Sequence, residues 1–172
     1  VTPLELATGY AVFANGGYHV TPFFIDHIND SQHNEIYQAR PKIACTSCND
    51  IDALTPKLPP QGQIAPQVIS PQNAFLITST LQYVIRRGTG RRALAMKRYD
   101  IAGKTGTTND RFDAWFSGYN ADVITTVWVG FDKPRSLHEY GSQAALPIWM
   151  SYMSKVLKSQ PEHTLPAVSY TH

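Results

Sequence analysis

The sequence predicts an α+β fold in which helices pack on an antiparallel sheet. Three observations lead there: two apolar helical stripes opened by prolines, three consecutive extended runs joined by short polar turns, and a closing amphipathic segment. The chain has 172 residues, about one domain's length, and its 42% hydrophobic content is enough for a core.

The first helix opens at Thr2-Pro3-Leu4-Glu5, a capping box with proline at the first helical position. Leu4, Ala7, Ala11 and Val12 recur on one face, and Gly16-Gly17 predicts an end near Asn15. From Tyr18 to Ile28 the residues are aromatic and β-branched. Asn29-Asp30-Ser31 interrupts them before a short extended run from Glu35 to Gln38, which together predict a hairpin. Between Arg40 and Pro66 the chain is proline-rich and aperiodic, as expected of a long surface loop or insertion.

Ser70 as cap and Pro71 open a second helix whose apolar face carries Ala74, Ile77, Thr78, Leu81, Val84 and Ile85, stopped by Gly88-Thr89-Gly90. Three extended runs follow, Ile101 to Thr107, Asp113 to Tyr119 and Val123 to Phe131. Their turns, Thr108-Asn109-Asp110 and Asn120-Ala121-Asp122, are short enough for antiparallel neighbours in one sheet. The last helix spans Ala144 to Leu157, with Pro147 in its first turn and Ile148, Tyr152 and Val156 expected to face the sheet. Beyond Pro161 the sequence reads as a loose tail.

Composition excludes several function classes. Fifteen basic and thirteen acidic residues leave a net charge of +2. The basic stretch Arg86, Arg87, Arg91, Arg92, Lys97 and Arg98 lacks the motif or aromatic interleaving of a nucleic-acid site, so it reads as a solvated surface. No apolar run approaches the ~18 to 20 residues of a membrane span, so membrane attachment is expected from another segment. The six histidines show no ligand spacing. Cys45 and Cys48 alone leave half a zinc shell empty, and no strand-to-helix context makes them a redox pair. A local disulfide and two idle thiols both remain open. No metal and no cofactor is expected.

The chemistry is carried by Lys104-Thr105-Gly106-Thr107, at the end of an extended run. Lys-Thr-Gly is a signature of penicillin-binding proteins and β-lactamases. At average residue usage the tripeptide arises by chance in roughly a few per cent of chains this long, so alone it is weak. An edge-strand lysine can stabilise an anion, glycine lets a ligand backbone approach, threonine hydroxyls can hold a carboxylate, and the edge can pair with an extended peptide. The competing reading is a lysine that merely guards an exposed edge.

Further segments narrow the choice. Thr2-Pro3-Leu4-Glu5-Leu6-Ala7, Tyr10-Ala11-Val12-Phe13-Ala14-Asn15-Gly16-Gly17-Tyr18 and Ser70-Pro71-Gln72-Asn73-Ala74 are joined by Arg87-Gly88-Thr89-Gly90 and Ile101-Ala102-Gly103-Lys104-Thr105-Gly106-Thr107-Thr108-Asn109. Asp113-Ala114-Trp115-Phe116, Val127-Trp128-Val129-Gly130-Phe131-Asp132 and Pro147-Ile148-Trp149 complete the set. In order and spacing these resemble the class A, type 1a penicillin-binding proteins of Gram-negative bacteria, over most of the chain except about Asp30 to Pro66.

The resemblance implies part of the penicillin-binding and serine β-lactamase-like transpeptidase fold. Residues 1–160 would be the C-terminal portion of a D,D-transpeptidase domain, with a proline-rich insertion at about 40–66 and a loose tail at 161–172. It implies an acyl-serine mechanism at the periplasmic face of the inner membrane, with peptidoglycan stem peptides and β-lactams as partners. Lys104 would join the catalytic hydrogen-bond network; Thr105, Gly106 and Thr107 would line the substrate, and Thr107 would give a backbone N–H to the oxyanion hole.

One departure is decisive: no serine here is followed three positions later by lysine, so the family's nucleophile motif is absent. Ser47-Cys48-Asn49 fits the Ser-x-Asn element by coincidence, inside the proline-rich loop and on the wrong side of the missing nucleophile. The expectation is a fragment that begins after the first two motifs, inactive alone and prone to self-association. A serine β-lactamase and a non-catalytic penicillin sensor or peptidoglycan-binding domain are the alternatives. Trp115, Phe116, Trp128 and Trp149 are expected in the core, and Asp113 as a structural partner of the Lys104 strand.

Overall fold

The computed structural model describes residues 1–45 and 63–163. Helix α1 spans Pro3–Ala14, and its start is the expected reciprocal box. Glu5 N–H donates to Thr2 Oγ1 at 3.2 Å, and Thr2 N–H donates back to Glu5 Oε2 at 2.7 Å. Ala11 and Val12 are buried, whereas Leu4, in the first turn, is exposed. After α1 the chain turns through Gly17 at φ +106°, where a Cβ would fall 2.1 Å from Ile69 O. Only glycine fits that turn, and its carbonyl accepts from Val68 and Ile69, tying the end of α1 to the approach to the next helix.

The extended stretch after Tyr18 is shorter than the side-chain pattern suggests. Pro22 removes a backbone donor, and pairing begins only with β1, His27–Asn29, against β2, Glu35–Gln38. Tyr18 instead makes an isolated bridge to Gln67, and Phe23, Phe24 and Ile25 stand in solvent. Within the proline-rich stretch, Ile43 bridges Ile64 in parallel. Cys45 is disulfide-bonded, and its carbonyl accepts from Tyr18 Oη at 2.7 Å. The readings of Cys48 and of Ser47-Cys48-Asn49 fall outside the described residues.

Helix α2, Pro71–Arg87, starts as expected, with Asn73 N–H donating to Ser70 Oγ at 3.3 Å. A 3₁₀ segment, Arg91–Met96, leads into a three-stranded antiparallel sheet of β3 (Ala102–Thr107), β4 (Ala114–Tyr119) and β5 (Ile124–Val129), in that order. The three expected runs therefore form one sheet, with β3 and β5 as its edges. The closing helix α3 spans Ala145–Val156.

The two sheet faces are covered by different helices. One face meets α3: Phe116 and Trp149 are fully buried with ring centroids 4.9 Å apart, and Trp149 Nε1 donates to Gly118 O and Thr125 O. Ile85 from α2, with Ile101, Leu146 and Met153, completes this core. Truncating an aromatic so placed costs ~3 to 5 kcal/mol. The other face meets α1, where Tyr10 packs edge-on against Tyr119.

The orientation of α3 corrects the expectation. Ile148, Tyr152 and Val156 point outward and are exposed, while Leu146, Trp149, Met153 and Leu157 turn to the sheet. Both stripes are apolar at helical spacing, and the one carrying Trp149 and Met153 fills the larger volume.

Residues 157–163 are tied back to the stretch before β3 and to the β4–β5 turn. Arg98 donates to Leu157 O, Gln160 O and Pro161 O while pairing with the buried Asp100, and His163 Nδ1 lies 3.0 Å from Asp122. Among the described residues no helix is long and apolar enough to cross a membrane.

Candidate active site

Strand register fixes which side chains share a face. Lys104 pairs with Ser117, which pairs in turn with Thr126, and Gly106 pairs with Trp115, which pairs in turn with Trp128, so these groups lie on the α1 side. Thr105 pairs with Phe116, and Thr107 with Ala114, so both threonines leave from the α3 side. The ammonium and the hydroxyls thus straddle the free edge of β3.

Main-chain groups at that edge follow from the ladder. Thr108 N–H donates to Asp113 O at 3.1 Å, which sets the phase of the alternating pattern. Counting back from this bonded pair, Gly106 and Lys104 bond to β4, while the N–H and C=O of Thr105 and Thr107 turn outward. Lys104 confirms the direction: its Nζ curls over the edge and donates to Thr105 O at 2.8 Å, with Thr105 Oγ1 at 3.4 Å. Among the described residues Lys104 forms no salt bridge, so its charge is open to an incoming anion.

Two loops grip the threonines from outside the strand. Thr89 Oγ1 lies 2.7 Å from Thr105 Oγ1, and Gly141 N–H donates to Thr107 Oγ1 at 3.0 Å. Gly141 lies flat on the β3–β4 ladder: a Cβ there would fall 2.4 Å from Trp115 O and 2.5 Å from Gly106 O. The loop before it is fastened to the β3–β4 turn, with Leu137 N–H donating to Arg111 O and Ser136 Oγ to Asp110 O.

On the lysine side an open cavity of about 710 Å³ separates β3 and β4 from the start of α1, lined by Lys104, Gly106, Trp115, Trp128, Leu6 and Tyr10. Trp115 and Trp128 were expected in the core with Phe116 and Trp149. They alternate onto the opposite face, 6.1 Å apart, where Trp115 is half-buried and Trp128 is 39% exposed. Asp113 accepts from Trp128 Nε1 at 2.9 Å and from Thr108 Oγ1 at 3.2 Å, so it braces the turn after β3, in keeping with a structural role.

Lys104, Thr105, Gly106 and Thr107 lie in sequence along the free edge of β3, on alternate faces. Thr89, Gly141, Trp115 and Trp128 escaped the sequence reading. Strand parity, once the register is known, reveals the tryptophans; nothing in the local pattern marks the other two, whose contacts span distant loops.

Comparisons with known proteins identify the family. Residues 1–152 match the penicillin-binding protein transpeptidase domain, and the chain belongs to that family. Among relatives, it is 45% identical to penicillin-binding protein 1A of Pseudomonas aeruginosa, across 96% of this chain and 24% of that protein. It is 47% identical to penicillin-binding protein 1A of Neisseria lactamica, across 93% of this chain and 18% of that protein. The chain thus spans about a quarter or less of the length of these relatives. The crystal structure of penicillin-binding protein 1A from Haemophilus influenzae superposes with a TM-score of 0.85 at 40% identity, covering 97% of this chain and 28% of that one. A ceftriaxone acyl-enzyme of penicillin-binding protein A from M. tuberculosis shares the fold, with a TM-score of 0.64 at 22% identity, over 91% of this chain and 32% of that one.

Proposed function

We propose that residues 1–160 are the C-terminal portion of a peptidoglycan D,D-transpeptidase domain, and that the whole protein works at the periplasmic face of the inner membrane. The observation that carries this reading is the free edge of β3, where the Lys104 ammonium, the Thr105 and Thr107 hydroxyls and outward main-chain N–H groups meet.

In this reading a stem peptide ending in D-alanine lies along the edge of β3. A serine outside these 172 residues attacks the penultimate D-alanine carbonyl. The serine oxygen–carbon bond forms, the peptide C–N bond breaks, and the terminal D-alanine leaves as an amine carrying the transferred proton. A second stem peptide's amine then displaces the serine and forms the cross-link. Lys104 stabilises the anionic partners of the nucleophile's network, the Thr107 N–H donates to the developing oxyanion, and Gly106 leaves room for the substrate backbone. Thr105 and Thr107 donate to the terminal carboxylate, and a β-lactam carboxylate takes the same place.

Intact-mass spectrometry with a labelled penicillin tests the assignment. The whole protein should gain one adduct, and this chain, which contains no Ser-x-x-Lys, should gain none. An adduct on the isolated chain would place the nucleophile elsewhere.

A further inference from the structure

We propose that Thr89 is a positioning residue for the substrate's terminal carboxylate, acting through Thr105; this rests on the transpeptidase reading above. A hydroxyl has one proton to donate and two lone pairs to accept with. The Lys104 ammonium can only donate, so at 3.4 Å it engages a lone pair of Thr105 Oγ1. Thr89 Oγ1 lies 2.7 Å from the same oxygen, and either hydroxyl of that pair can be the donor. A carboxylate accepts only. Its arrival selects the arrangement in which Thr89 donates to Thr105 and Thr105 turns its own proton to the anion.

Thr107 is set the same way by a group that has no choice. The Gly141 N–H can only donate, so the Thr107 proton is left to point away from it. Two hydroxyls on one side of a strand are thereby presented as donors, each backed by a donor from a neighbouring loop.

The backing from Thr89 is rigid. Gly88 N–H and Gly90 N–H both donate to Val84 O at the end of α2, at 2.9 and 3.2 Å. A Cβ on Gly88 would lie 3.0 Å from Val84 Cα, and one on Gly90 2.8 Å from Ile85 Cδ1. Thr89 is therefore carried on a turn pressed against α2, and Ile85 anchors that turn in the core.

The test uses the whole protein and two probes, benzylpenicillin and its methyl ester, which lacks the carboxylate charge. Thr89→Val keeps the shape and removes the hydroxyl, and it should lower the acylation rate by the free acid about fivefold to tenfold, the size of one neutral hydrogen bond. Thr89→Ser should restore it, and the ester should be nearly indifferent to both changes. An unchanged Thr89→Val rate, or equal slowing of acid and ester, overturns the proposal. Where the ester labels too slowly to time, the serine variant decides: restoration supports the role, and failure to restore overturns it. Lys104→Ala run in parallel separates the two failures. If it acylates like wild type, the transpeptidase reading falls with the proposal, and if it slows while Thr89→Val does not, only the role of Thr89 falls.

Discussion

Arg98 meets Asp100 through two bonds, Nη2 to Oδ2 at 2.6 Å and Nε to Oδ1 at 2.9 Å, and both side chains are almost wholly buried. The same guanidinium caps three carbonyls after α3, and Asn120 adds a further bond to Asp100. Burial pushes the Asp100 carboxyl up, but the bonds from Arg98 and Asn120 outweigh it and hold the group below its ordinary value.

The fold thus favours the carboxylate form. Its contribution is present above the unfolded value of about 3.8 and is lost as pH falls from there through the lower folded value. Urea unfolding at pH 7 and pH 3 should show a loss that Asp100→Asn reduces, the rest belonging to Glu5 and Asp30, whose carboxyls are also held below their ordinary values. Arg98→Ala at pH 7 should cost ~3 to 5 kcal/mol, because it strands a buried charge. A cost under 1 kcal/mol would mean that the pair is dispensable.

Lys104→Ala in the whole protein should slow acylation by penicillin roughly a hundred- to thousand-fold, the range of a preorganised ~3 to 4 kcal/mol group. Thr107→Ala should be milder, since its main-chain N–H survives. Time-resolved labelling checks both, and near-normal acylation of the lysine variant would remove Lys104 from the site.

Gly141→Ala should lift the 136–143 loop off the β3–β4 ladder, because its Cβ would sit 2.4 Å from one carbonyl oxygen and 2.5 Å from another. Overpacking of this kind costs ~1 to 3 kcal/mol and removes the bond to Thr107. Amide exchange should quicken along this loop, and an unchanged exchange pattern would show that the backbone gives way without cost.

Tyr119 is fully buried, with its hydroxyl 2.8 Å from Thr78 Oγ1, and burial pushes its phenol up to about 12. The unfolded chain loses this proton near pH 10, so stability should fall as pH rises from there through the folded value, by about 3 kcal/mol in all. Comparing unfolding of wild type and Tyr119→Phe across that window isolates the effect, and identical losses would refute it.

Local physics made much of the architecture legible in advance. The capping box at Thr2 and Glu5 and the Ser70-Pro71 pair act within one turn, so sequence alone locates both helix starts. Period-two patterning and short turns gave the three sheet strands, whose paired cores are one to three residues shorter than the patterned runs. The inner face of α3 was not legible, because Ile148 and Trp149 begin equally apolar stripes and only packing volume chooses between them. The Lys104 to Thr107 strand was visible as a motif. Thr89 and Gly141 were not, since each acts across a fold that brings distant loops to one edge.

The placement of α1 sets an order of assembly. Strands β3, β4 and β5 close over short turns, Thr108 to Asp113 and Asn120 to Val123, so their ladder needs little loop closure. Tyr10, by contrast, must find Tyr119 across 109 positions of sequence. Long-range contacts of this kind form late. This predicts that, within this chain, the motif strand is built on the α3 side first and α1 closes the lysine side last. Tyr10→Ala should accordingly speed unfolding and leave the refolding rate nearly unchanged. A refolding rate that fell in step with stability would put α1 in the nucleus instead.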